Sequence, residues 1–194
     1  MTGAISVLGL AGSLRSGSYN RALIRAAQEL SAPGLTVEPY PLDAVPLFNG
    51  DLEAVGDPAA VTDLKNRIRA ADAVLIATPE YQHGVPGVLK NALDWASRPS
   101  TESALHHKIV GIMGASPGVG GTARAQSQLR QTLVFNDARI VGPPEVLVRN
   151  ATEVFDDRLH LTDATTREFV SGLLDRIGTA VEEQRRLAPA PVAA

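Results

Sequence analysis

The segment from Gly12 to Asn20 is rich in hydrogen-bond donors and lies between a short aliphatic run and a helical pattern. Its candidate donors are Ser13, Arg15, Ser18 and Asn20. The first turn of a helix presents free backbone N–H groups and a dipole that favours anions. An arginine adds a charge-assisted contact. The segment therefore predicts a phosphate-binding loop.

The glycine spacing of this segment also resembles the start of a Walker A loop, Gly12-x4-Gly17. That motif continues with Lys and then Ser or Thr, whereas this chain has Ser18 and Tyr19. Without the lysine and without a Mg²⁺ ligand set, hydrolysis of a nucleoside triphosphate is not expected. A hydroxyl-rich loop suits a permanently bound phosphate such as that of FMN. The alternative is a capped helix after an ordinary turn, because Ser and Asn are common caps.

A second specialised segment runs from Pro79 to Gly87. Two prolines brace it, since each fixes its own φ, and two glycines permit close backbone approach. Tyr81 and His83 are candidates to flank a planar ring, and exposed backbone N–H groups are candidates to bond its polar edge. His83 on its own is poor support for acid–base catalysis, and a surface role is the simpler interpretation. Glu80 suggests a loop brace or an oligomer contact, so no catalytic side chain is assigned.

A third segment, from Ala115 to Arg124, follows a strand-length run and opens a helical pattern. Its Gly118-x-Gly120-x-x-Ala123 pattern formally fits the dinucleotide fingerprint. The pattern lies late in the chain, with no acidic residue ending a strand about 20 positions further on. A glycine turn that closes over a ring edge explains it equally well.

Five aliphatic runs of strand length precede or separate these loops. They are Ile5 to Leu10, Leu35 to Glu38, Ala73 to Thr78, Ile109 to Gly114 and Val146 to Val148. Helical patterns lie between them, and strands that alternate with helices imply parallel pairing with right-handed crossovers. We expect an α/β fold: a flavodoxin-like three-layer αβα sandwich with strand order 2-1-3-4-5. Ligands then bind at the carboxyl ends of the strands, beside strands 1 and 3.

The helical patterns share apolar residues three or four positions apart. These sets are Leu23, Ala27 and Leu30; Val61, Leu64 and Ile68; Val88, Ala92 and Trp95; Ala125, Leu129 and Leu133; and Phe169, Leu173, Ile177 and Val181. The second helix is expected to be capped by Asp57 with Pro58 at its first position. Trp95 is expected in the core. The segment from Pro41 to Pro58 is predicted to be a long connection.

Composition narrows the class of protein. The chain of 194 residues suits one domain, assigned to residues 1–187, with an Ala/Pro-rich tail at 188–194 that is expected to be disordered. The net charge of −3 without a basic stripe argues against nucleic acid. The absence of cysteine excludes disulfides and thiolate catalysis. No metal-ligand cluster, signal peptide or membrane-length apolar run is apparent, so a cytoplasmic location is expected.

The three loops together resemble the NADPH-dependent FMN reductases, the group that contains bacterial quinone, chromate and azo-dye reductases. The resemblance covers nearly the whole chain. Its parts are Gly12-Ser13-Leu14-Arg15 with Ser18-Tyr19-Asn20, Pro79-Glu80-Tyr81 with Pro86 to Trp95, and Ser116-Pro117-Gly118 with Gly120-Gly121 and Arg124-Ala125-Gln126. It implies a set of FMN contacts in each loop. The phosphate contacts are Ser13, Arg15, Ser18, Tyr19 and Asn20; the isoalloxazine contacts are Pro79, Glu80, Tyr81, Gln82 and His83; and Ser116 and Gly118 line the other side of the ring. Homodimers or homotetramers are implied as well.

The same resemblance implies an oxidoreductase that takes hydride from NADPH or NADH onto bound FMN and then reduces a small-molecule acceptor in a ping-pong exchange. Gln82 departs from the family, which usually has Asn there, but little changes if the backbone N–H is the flavin contact. Two alternatives remain open. One is an FMN-binding electron carrier or redox sensor that does not oxidise NAD(P)H. The other is a dinucleotide-binding protein without flavin, built on the third loop.

Overall fold

A computed structural model describes residues 3–187 as one parallel sheet covered by helices on both faces. The strands are β1 (Ile5–Ala11), β2 (Leu35–Tyr40), β3 (Ala73–Ala77), β4 (Ile109–Ala115), β5 (Arg139–Ile140) and β6 (Val146–Val148). The helices are α1 (Tyr19–Leu30), α2 (Gly50–Val55), α3 (Ala59–Ala70), α4 (Gly87–Ala96), α5 (Ala123–Phe135), α6 (Ala151–Val154) and α7 (Ala164–Leu187).

The strand order is β2-β1-β3-β4-β5, and β6 also pairs with β4. Every pairing is parallel, with Val7 opposite Ala73 and Ala73 opposite Ile109 across the centre of the sheet. β3 and β4 are buried along their whole lengths, as expected of strands covered on both faces. The predicted fold class and strand order are confirmed.

Two apolar layers cover the sheet. One forms around α1 and α7, with Leu23 and Ile177 fully buried. The other forms around α3, α4 and α5, with Ile68, Leu89 and Leu129 fully buried. This is the predicted three-layer sandwich, and it leaves the loops at the carboxyl ends of the strands as the region where a ligand can enter.

The fifth strand position differs from the sequence prediction, because β5 and β6 occupy it one after the other along β4. Gly142-Pro143-Pro144 separates the two pieces. Proline has no N–H for a strand ladder, so the pairing is interrupted there. The prediction found the second piece, Val146 to Val148, and missed Arg139–Ile140, which is too short and too polar to read as a strand.

Three local predictions need correction. Pro58 occupies the cap position of α3, while the carboxylate of Asp57 lies 2.5 Å from the buried Lys65 ammonium. The connection from Pro41 to Pro58 contains the short helix α2. On α7, Phe169 is 47 % exposed, and Val170 lies in the core instead. Trp95 is fully buried, as predicted. The proposed tail 188–194 lies outside the described residues.

Candidate functional site

The three specialised loops meet where β1, β3 and β4 end. The N–H of Gly12, just past β1, donates to the carbonyl of Ala77 at the end of β3 at 2.9 Å. A Cβ at Gly12 would lie 3.1 Å from the Pro79 ring, which is closer than an ordinary van der Waals contact. The Tyr81 hydroxyl donates to Ser13 Oγ at 3.3 Å. The first and second loops are therefore in direct contact.

The first loop presents a row of unused backbone donors. Within residues 3–187, the N–H groups of residues 13–19 find no acceptor. Ser18 caps α1, because its Oγ accepts from the N–H groups of Asn20 and Arg21 at 3.2 and 3.3 Å. Ser13 and Ser18 are buried, whereas Arg15 is exposed and has no carboxylate partner among the described residues. Free N–H groups, a helix N-terminus and an unpaired guanidinium together make an anion site.

Two of the predicted phosphate ligands have other contacts. The Asn20 side chain donates to the Ala115 carbonyl at 2.9 Å and accepts from the Ala115 N–H at 2.9 Å, so it ties α1 to the end of β4. The Tyr19 ring packs against Phe155, with 5.3 Å between ring centroids. Both lie at the predicted place in the fold, but these contacts hold the loop in position; their role toward phosphate stays a prediction.

The second loop is a tight two-residue turn. Tyr81 and Gly84 exchange backbone hydrogen bonds of 3.2 and 3.0 Å, and Gln82 and His83 between them have φ of 47° and 62°. Positive φ at both central residues defines the type I′ turn. The N–H groups of Gln82 and His83 have no acceptor in the described part of the chain. The turn therefore offers two outward-facing backbone donors beside the exposed Tyr81 ring.

Glu80 holds the second loop against the third. Its carboxylate accepts from the N–H groups of Arg124 and Ala125 at 2.9 and 3.1 Å and from the Arg124 guanidinium at 3.2 Å. Burial alone would raise the pKa of Glu80, but these hydrogen bonds outweigh it and hold the pKa below its ordinary value. Glu80 is thus an ionised brace at the start of α5, one of the two roles the sequence suggested for it.

The third loop is shaped by backbone contacts to β6. The Ser116 N–H donates to the Val148 carbonyl at 3.0 Å, and the Gly118 N–H donates to Ser116 Oγ at 3.1 Å. Two contributors near this site escaped the sequence prediction. Arg149 follows β6 and packs against Gly121, and Gln128 on α5 accepts from the Val85 N–H at 3.2 Å. Neither belongs to a recognisable motif; only their places after β6 and on α5 put them near the loops.

Each of the three loops also carries one exposed apolar side chain. Leu14 is 51 % exposed, Tyr81 50 % and Val119 79 %. Single exposed apolar residues are common on protein surfaces. Three of them on three loops that meet at one edge make an apolar rim around a polar site. An elongated ligand with an anionic end and a flat apolar ring matches this arrangement, and FMN has both features.

All four histidines are exposed, which for His83 agrees with the surface role that the sequence suggested. The structure brings together one group of side chains that the sequence did not indicate, because Asp137 lies beside His106 and His107. The sequence could not reveal it, since Asp137 follows α5 and is far from the histidines along the chain. The group lies at the amino-terminal end of β4, away from the three loops. Within residues 3–187, no helix has the length and apolar character needed to cross a bilayer.

Comparison with known proteins gives concordant matches over most of the chain. A family model described as NADPH-dependent FMN reductase matches residues 5–153. An NAD(P)H-dependent FMN reductase of Pseudomonas aeruginosa is 47 % identical, over 95 % of this chain and 100 % of the relative. A quinone reductase of Pseudomonas putida is 39 % identical, over 95 % and 99 %. The structure of the flavoenzyme NAD(P)H:(acceptor) oxidoreductase FerB from Paracoccus denitrificans superimposes with a TM-score of 0.84 at 34 % identity, over 93 % and 98 %.

Proposed function

Because the chain belongs to the NADPH-dependent FMN reductase family, we propose that it is an NAD(P)H-dependent flavoenzyme that reduces small quinone-like acceptors. The observation that carries the proposal is the meeting of an anion-binding loop, a donor turn and an apolar rim at the carboxyl edge of the sheet. Bound FMN would supply the redox chemistry, namely hydride transfer from NAD(P)H and electron transfer to the acceptor. The chain's own residues bind and orient the reactants.

The first loop would hold the phosphate. Ser13 and Ser18 supply hydroxyls, the N–H groups of residues 13–19 supply unused donors, and Arg15 supplies positive charge. This set would stabilise a phosphate through hydrogen bonds and one positive charge. Such a cradle fixes one end of the cofactor, so that the position of the ring depends on the other two loops.

The second and third loops would hold the ring. Pro79 is buried at the base of the turn, and the N–H groups of Gln82 and His83 are free to meet polar atoms on the ring's rim. Backbone donors placed where negative charge develops favour the reduced ring. Since those donors belong to the backbone, the Gln82 side chain has little influence on this contact. Ser116 and Gly118 would border the opposite side.

The acceptor would enter over the apolar rim of Leu14, Tyr81 and Val119. A flat aromatic oxidant such as a quinone buries apolar surface there, and relatives named quinone reductases agree with this class. NAD(P)H and the acceptor would use the same opening in turn. Parallel lines in double-reciprocal plots of initial rates are expected; a required ternary complex would contradict sequential use of one opening.

We also propose that the protein is a cytoplasmic homodimer or homotetramer. Leu47, just before α2, and Val55, the last residue of α2, are 81 % and 85 % exposed and would be covered in a subunit interface. Light scattering on a size-exclusion column measures the mass directly. A monomer at micromolar concentration would contradict the assembly and leave the proposed reaction unaffected.

The decisive experiment starts with the absorbance spectrum of the purified protein, followed by NADPH addition without oxygen. Flavin absorption that bleaches within seconds is the expected result. A colourless protein that does not take up FMN would overturn the proposal. A protein that binds FMN but does not oxidise NAD(P)H would be an electron carrier or redox sensor instead.

The phosphate contact can be isolated by comparing FMN with riboflavin, which lacks the phosphate. The double variant Ser13→Ala, Arg15→Ala should lose FMN affinity while its riboflavin affinity changes little. Arg176→Ala is the matched control, because Arg176 is exposed on α7 at a distance from the three loops. An unchanged ratio of the two affinities in the double variant would show that the phosphate binds elsewhere.

A further inference from the structure

The amino-terminal edge of the sheet carries a cluster of metal-ligating side chains that the proposed reductase reaction does not use. We infer that His106, His107 and Asp137 form a binding site for a divalent transition metal of the Zn²⁺ class. Their ligand atoms all lie within 4.8 Å of one another. His107 Nδ1 is 3.1 Å from Asp137 Oδ2, and the two imidazole rings have centroids 3.8 Å apart.

The backbone presents these three side chains to one point. Neighbouring residues of an extended chain place their side chains on opposite faces. His107 has a φ of 56°, and the two adjacent rings come to lie side by side. Asp137 has a φ of 53°, and its carbonyl accepts from the His107 N–H at 3.2 Å. The Arg139 N–H donates to the Lys108 carbonyl at 2.9 Å. The ligands are therefore held close together before any ion arrives.

The donor set identifies the class of ion. Two imidazoles and one carboxylate suit Zn²⁺, Ni²⁺ or Cu²⁺, whereas Mg²⁺ and Ca²⁺ prefer oxygen ligands. Zinc sites with three protein ligands keep a fourth position for water. Zn–N and Zn–O distances of about 2 Å place tetrahedral ligand atoms about 3.3 Å apart. His107 Nδ1 and Asp137 Oδ2 already have that spacing at 3.1 Å, and any wider separation within the 4.8 Å limit has to shorten. Rotation of exposed side chains supplies that adjustment, and all three residues are exposed.

The competing explanation is an ordinary His–Asp hydrogen bond, and the same chain contains such a pair. His160 Nδ1 lies 3.0 Å from Asp156 Oδ2, a distance close to that of His107 and Asp137. Among residues 3–187 no second histidine joins that pair. The closest cation in sequence to the cluster, Lys108, directs its ammonium to the Ala71 carbonyl at 2.6 Å and leaves the ligands free.

An ion bound here would connect two segments that are distant in sequence, the start of β4 and the turn between α5 and β5. Since these segments lie at the opposite end of the sheet from the flavin loops, the ion takes no part in the reductase reaction. Evidence against the metal site therefore leaves the proposed function unaffected, and evidence against the proposed function leaves the metal site unaffected.

The test is isothermal titration of Zn²⁺ into the untagged, FMN-loaded full-length protein, with Mg²⁺ as the control ion. One Zn²⁺ per chain is expected, and no heat from Mg²⁺. Removing even a group behind a metal ligand weakens binding by about 10–100-fold, so His107→Ala and Asp137→Asn should each weaken it by at least about ten-fold. His160→Ala should leave it unchanged.

Thermal unfolding gives a second readout, because an ion that binds only the folded state raises the melting temperature. Zn²⁺ should raise it for the wild type and His160→Ala but not for His106→Ala. Unaltered flavin absorbance in each variant shows that the fold is retained. A wild type that binds no Zn²⁺, or an equal loss in His160→Ala and His107→Ala, would overturn the site.

Discussion

Replacing Glu80 by alanine should destabilise the protein far more than removing a comparable glutamate from the surface. The Glu80 side chain is only 9 % exposed and accepts hydrogen bonds from two backbone N–H groups and one guanidinium. A net contribution of about 1 kcal/mol for each backbone bond gives a loss of about 2 kcal/mol. For a chain of this size, that loss lowers the melting temperature by about 4–8 °C.

Glu38 provides the matched control. It also pairs with an arginine, since its carboxylate lies 2.9 Å from the Arg67 guanidinium, but its side chain is 66 % exposed. Surface ion pairs of this kind contribute about 0–1 kcal/mol. Urea unfolding of Glu80→Ala, Glu38→Ala and the wild type, monitored by circular dichroism, measures both differences. Equal losses in the two variants would refute the claim that Glu80 braces the loops.

The Glu80 effect also has a defined pH dependence. The pKa of Glu80 is held below its ordinary value of 4.5 in the folded protein. A group whose folded pKa is lowered contributes stability above its unfolded pKa and loses that contribution as the pH falls through the folded value. The difference between the wild type and Glu80→Ala should therefore be full at neutral pH and shrink in acid. A difference that grows on acidification would contradict the bracing role.

Three further substitutions test a buried ion pair in the fold and the packing beneath the three loops. Asp57→Asn leaves the Lys65 ammonium, whose side chain is 3 % exposed, without its charged partner. Urea unfolding should show that the free energy of unfolding falls by about 3 kcal/mol, whereas Lys65→Met should leave it nearly unchanged. Gly114→Ala would place a Cβ 2.3 Å from the Thr78 carbonyl oxygen. Urea unfolding should show that the free energy of unfolding falls by about 2 kcal/mol or more, and the absorbance spectrum should show reduced flavin occupancy. Asn20→Ala removes both hydrogen bonds to the end of β4, which should cost about 2 kcal/mol and weaken FMN binding in a fluorescence titration.

The sheet could be predicted from the sequence because its signal is local. Continuous aliphatic runs such as Ala73 to Thr78 indicate strands buried on both faces, and their alternation with helical patterns fixes parallel pairing. Parallel pairing in turn places the three loops at one edge, before any contact between them is known. The division of the fifth strand into β5 and β6 was harder to predict from the sequence, because Arg139–Ile140 has only two residues and no repeating apolar pattern.

The family resemblance is confirmed by the match to residues 5–153, but contacts between loops have no local signal. Nothing in the sequence near Asp137 shows that it lies beside His107. A polar residue in a candidate loop can equally well contact a ligand or another part of the chain. The type of a residue determines which hydrogen bonds it can make, but its partner is known only from the fold.

In the three loops, side chains and backbone have different roles. Polar side chains bind other parts of the chain, and backbone N–H groups remain available to a ligand. Asn20 and Glu80, both candidate cofactor ligands by sequence, use their side chains to tie the loops to β4 and α5. The N–H groups of residues 13–19 and of Gln82 and His83 are left without acceptors within the described residues. Recognition of a flavin at this edge would therefore depend mainly on backbone donors. A change such as Asn to Gln at position 82 is then tolerated, whereas a change that moves the backbone of the turn is not.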